Sequence, residues 1–106
     1  MFWRKPAEKE VRKASDDAKE MISQIESELK VLNIDLEDSK TYSDPNLNKY
    51  ESSVKAEVLR NIAPLYIDLY KLVKRFRKRF EKNIETRLGK ISFVKDVLER
   101  NIKENS

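Results

Sequence analysis

From Val11 onward, apolar side chains return every three or four residues and charged or polar ones fill the gaps. In the first third, Val11, Ala14, Ala18, Met21, Ile22, Ile25, Leu29 and Leu32 fall in one narrow stripe when the chain is wound at about 100° per residue. That spacing predicts a helix over about 7–32. Pro6 suits its first helical position, and Glu8 and Glu10 complement the positive end of its dipole. Asn33 then opens a polar stretch to Asp44, which reads as a solvated acidic loop over about 33–44.

A second stripe starts after Asp44-Pro45, with Asp44 as the expected N-cap acceptor and Pro45 in the first turn. Leu47, Tyr50, Val54, Val58, Ile62, Leu65, Leu69, Leu72, Phe76, Phe80, Ile84 and Leu88 hold one register, which predicts a long helix over about 45–88. Pro64 lies within it. Its ring removes a backbone donor and crowds the carbonyl of Arg60, so a kink is expected there. Gly89 is the expected left-handed cap of this helix. Ser92 would cap a last helix over about 92–104, with Val94, Val97, Leu98 and Ile102 inward.

No strand alternation or internal repeat interrupts these patterns. The expected architecture is all-α, a single domain over 1–106 built as an antiparallel helical hairpin or three-helix bundle around one long Pro-kinked helix. At 1.5 Å per residue that helix would be about 60 Å long. The first helix covers about two thirds of such a length. The uncovered apolar stripe predicts self-association or a place in a larger assembly.

Composition narrows the chemistry. Charged residues make up 40% of the 106 and apolar ones 39%, so little material is left for a deep core. Without His or Cys the chain has no thiol nucleophile, no Ser-His relay and no ordinary zinc ligand set. A single glycine excludes a Gly-rich phosphate cradle. No catalytic, cofactor or metal residue is assigned, and the chain is expected not to be an enzyme. Asp35-Leu36-Glu37-Asp38 lacks the glycine and acid ladder of a calcium loop, and nothing complements Asp16, Asp17 and Glu20. No apolar run approaches the length of a membrane span, the start lacks the apolar core of a secretory signal, and the absence of Cys suits a reducing compartment. The expectation is an intracellular location. Phe2-Trp3 before Arg4-Lys5 is a weak interfacial anchor, and membrane contact is not the leading expectation.

Charge distribution carries the most information. Residues 1–45 hold 8 Lys/Arg against 11 Asp/Glu, and residues 46–106 hold 15 against 8. Lys71, Lys74, Arg75, Lys78, Arg79 and Lys82 share a flank of the predicted long helix, whereas Arg77 falls across it. Such a face attracts nucleic-acid phosphates. The ordinary alternative is a solvated face, or one neutralised by Glu20, Glu26 and Glu28 of the first helix. Tyr66 and Tyr70, one turn apart, could stack on bases. They are expected instead to rim a helix–helix contact, and with Ile67, Leu69, Phe76 and Phe80 they form the expected protein interface. The expected function is a non-catalytic accessory or architectural subunit that touches nucleic acid. A protein adaptor and a peripheral membrane protein are the alternatives.

Overall fold

The structure, a computed structural model, describes residues 7–105. The expectations for Phe2, Trp3, Arg4, Lys5 and Pro6 lie outside them. All regular structure among the described residues is helical: α1 (Glu8–Leu29), α2 (Ser39–Tyr42), α3 (Ser52–Phe76) and α4 (Lys82–Glu104). Single 3-10 turns occupy Lys30–Leu32, Leu47–Lys49 and Arg77–Arg79.

The first stripe folds where its spacing placed it. α1 buries Val11, Ala14, Ala18, Ile22, Ile25 and Leu29, and the 3-10 turn that follows buries Leu32. Asn33 stops the helix in the left-handed region, φ 57° and ψ 36°, a conformation that Asn tolerates well. The backbone N–H of Ile34 then donates to the carbonyl of Leu29 at 3.1 Å.

The stretch expected to be a solvated acidic loop has more structure than that. Ile34 and Leu36 are buried in the core. Asp38 caps α2 by accepting from the backbone N–H of Lys40 at 3.1 Å. Asp44-Pro45 does not start a helix, because α3 begins at Ser52 after a 3-10 turn and an extended Tyr50.

α3 is the middle element. Asn61 donates to Glu28 at 3.2 Å, and Glu8 meets Arg79 beyond the far end of α3, so α1 runs antiparallel to it. Lys55 donates to Asn101 at 2.7 Å, and the Tyr66 and Ser92 hydroxyls are 3.3 Å apart, so α4 is antiparallel as well. Ile25, Ile62, Leu69, Ile91 and Leu98 are wholly enclosed where the three helices meet. The Cα trace measures 51 × 28 × 17 Å, a flattened bundle. Lys55 is the buried charged residue of its core at 2% exposure. Its methylenes pack inward while its ammonium reaches Asn101, whose own amide donates to Asn48 at 3.0 Å.

The helix expected over 45–88 is in fact two helices, with the break at 77–81. α3 continues across Pro64, whose ring lies on the exposed side, where water can satisfy the Arg60 carbonyl. The last helix starts at Lys82, so Gly89 and Ser92 are interior positions of α4, and Gly89 has no left-handed φ. The misplacement has a physical cause. Phe76, Phe80 and Ile84 stay four residues apart and stay buried, so the inward rhythm is the same through the turn as through a helix. The uncovered stripe disappears with the long helix, because α4, 23 residues long, turns back along the 25 residues of α3.

Candidate nucleic-acid interface

The sharp turn between α3 and α4 gathers the densest run of basic residues in the chain. α3 closes with the backbone N–H of Arg77 donating to the carbonyl of Val73. Arg77 itself has φ 42° and ψ −126°, a region comfortable for glycine and strained for a residue with a Cβ, by about 1–3 kcal/mol. The turn is clamped from inside by Phe76 and Phe80, whose rings stack at 5.4 Å between centroids and 15° between planes. Neither neighbouring helix end has a side-chain cap here.

A groove of about 1270 Å³ runs along the turn. Tyr70, Val73 and Phe76 of α3 and Leu88 of α4 give it an apolar lining, and Lys71, Lys74, Arg75, Arg77, Lys78 and Arg79 surround it. Glu85 is the acid among the lining residues. Five of the six expected phosphate-contacting residues thus come together. Lys82 does not join them, because it begins α4 outside the groove. Arg77, assigned across the helix by a continuous wheel, joins the cluster because the helix ends one residue before it.

Neutralisation by Glu20, Glu26 and Glu28, the ordinary alternative, is not what the ion pairs among the described residues show; α1 reaches the cluster instead through Glu8. Glu26 receives Arg87, which also reaches Glu37 and Asn83, and Glu28 receives Asn61. Arg79 pairs with Glu8 at 3.4 Å, and Glu81 with Lys19 at 3.0 Å. Lys71, Lys74, Arg75, Arg77 and Lys78 make no ion pair with a described residue and are exposed. Two of them lie against rings, Lys74 at 6.0 Å from the Tyr70 centroid and Arg75 at 5.2 Å from that of Phe76. As the last turn of α3, Lys74 and Arg75 also complement the negative end of its dipole.

The expected protein interface divides. Leu69, Phe76 and Phe80 are buried in the chain's own core, and of the three Phe76 lines the groove. Tyr66 is half-buried and its hydroxyl is bonded to Ser92. Ile67 and Tyr70 remain exposed at 48% and 46%. Beside Tyr66, the Glu99 carboxylate hydrogen-bonds Lys95 at 2.6 Å and holds the Lys95 ammonium above its ordinary pKa.

Among the described residues no group of three or more acids is placed to hold a metal ion, and no helix is long and apolar enough to cross a membrane. No known protein family, curated protein or solved structure matches this chain.

Proposed function

We propose that the protein is a non-catalytic helical accessory or architectural component that holds nucleic-acid phosphates at the α3–α4 turn. The observation that carries this reading is the convergence of Lys71, Lys74, Arg75, Arg77 and Lys78 on one groove, exposed and without ion pairs to described residues. Cations clustered so densely repel one another, and the Arg79–Glu8 pair at the edge of the cluster leaves these five without an ion pair to a described residue. A polyanion supplies the missing counter-charge and releases its own condensed counterions in doing so. The strained backbone at Arg77 points the same way, since strain is retained where it positions a working group. Self-association is not required by this reading, because the core of the chain itself takes Leu69, Phe76 and Phe80.

Fluorescence anisotropy with oligonucleotides at two or more salt concentrations tests it. Engagement of about four or five phosphates on duplex gives a slope of log K against log[salt] near −4. Arg75→Glu with Lys78→Glu abolishes binding and leaves helix content unchanged, while Lys82→Glu has the smaller effect of a charge outside the groove. Absence of binding at low salt overturns the proposal. If the Arg75/Lys78 reversal instead breaks a protein complex from native cells, with no oligonucleotide binding, the adaptor reading replaces it.

A further inference from the structure

Resting on the phosphate reading above, we infer that the nucleic acid is single-stranded and that one of its bases stacks on Tyr70. A duplex presents phosphates and sugars outward and keeps its base faces hidden, so it would use the cationic rim and leave the apolar lining of Tyr70, Val73 and Leu88 empty. A single strand offers both parts, a phosphate chain for the rim and flat apolar bases for the lining. The groove, at about 1270 Å³, also exceeds the roughly 300–1,000 Å³ usual for a drug-sized ligand, and fits a length of polymer better than a free small anion.

Tyr70 is equipped for stacking and its neighbour Tyr66 is not. Tyr66 is half-buried and its hydroxyl is bonded to Ser92. Tyr66 is therefore a fixed support, 6.2 Å from Tyr70 and tilted by 38°. Tyr70 is 46% exposed and lies among the cations of the groove. The ammonium of Lys74, 6.0 Å from its centroid on a flexible stem, is placed to hold the phosphate of the nucleotide whose base covers the ring. Chain order puts Lys71 and Lys74 beside Tyr70, so phosphate and base contacts belong to neighbouring nucleotides.

The test compares three short probes of equal length at matched salt: a single strand, its duplex, and a base-free single strand with the same phosphates. The single strand binds about tenfold more tightly than the base-free one. Tyr70→Ala removes that tenfold advantage, Tyr70→Phe keeps it, and neither changes affinity for the base-free strand or the duplex. Equal affinity for strands with and without bases, or equal losses on all three probes in Tyr70→Ala, overturns base stacking and leaves the phosphate reading standing. Tighter binding to polyglutamate than to any oligonucleotide assigns the groove to an acidic protein and overturns both. Failure of all three probes to bind at low salt also overturns both.

Discussion

At one end of α3 the chain reverses through residues 30–51, and at the other through 77–81. The first reversal is acidic and turns its polar groups on itself. Asp35 and Asp38 accept from the backbone N–H groups of Glu37 and Lys40, and the Thr41 hydroxyl accepts from that of Asp35 at 2.9 Å. Its left-handed residue is Asn33, which tolerates the conformation, and Ile34 and Leu36 anchor it to the core. The second reversal is basic, lacks side-chain caps, and places an arginine where a glycine would be at ease. It is held by stacked Phe rings beneath; Arg79 and Glu81 pair with Glu8 and Lys19 of α1, and Arg77 and Lys78 stay out in solvent. The difference separates two meanings of a charge-rich segment. Side chains that satisfy nearby backbone are committed to the fold, whereas those held up from below stay exposed, which is what the proposed function makes use of.

The largest test of that contrast lies in the anchors. Phe80→Ala should destabilise the protein by about 3–5 kcal/mol in urea unfolding, and should also weaken oligonucleotide binding by the fraction that stays folded, because the basic turn loses its inner clamp. Leu36→Ala should cost about 2–5 kcal/mol, yet the folded fraction should bind as the wild type does. Equal losses of affinity in the two would remove the distinction between the turns. Next comes Arg77→Gly, which relieves the positive φ and should raise stability by about 1 kcal/mol while weakening oligonucleotide binding. A fall in stability would show that the Arg77 side chain supports the turn. Thr41→Val, in the acidic reversal, should lower stability by about 1 kcal/mol and leave binding untouched. The smallest effect belongs to Gly89→Ala in α4. A Cβ there meets nothing within 4 Å, so the change should add about 0.5–1 kcal/mol in thermal unfolding.

How far each turn was legible follows from the same chemistry. Asn33 ends a periodic segment and is a residue type that stops helices, so the end of α1 could be read directly. Arg77 is a good helix former sitting between apolar residues in perfect helical rhythm, and nothing in its identity announces a reversal. The signal that misled was Gly89, whose type suits a cap and whose place is an exposed turn of α4. The cation cluster was visible as composition, but its membership was not. Lys82 and Arg77 changed places because a wheel carries its angle through a break that the chain does not respect. Leu69, Phe76 and Phe80 were visible as apolar contacts, and their partner turned out to be the same chain.

The placing of α3 between its two sequence neighbours also bears on the order in which the molecule forms. Both hairpins pair elements adjacent along the chain, the kind of topology that folds in microseconds to milliseconds. They differ in the length of chain that must be closed. Residues 77–81 are about two doublings shorter than residues 30–51, a difference of about 1 kcal/mol in closure entropy. Zipping of α4 onto α3 is thereby favoured as the earlier event, with α1 docking onto a surface already half built. The α3–α4 turn then belongs to the part of the fold that forms first, and substitutions at Phe76 and Phe80 should slow refolding, whereas those at Ile34 and Leu36 should mainly speed unfolding.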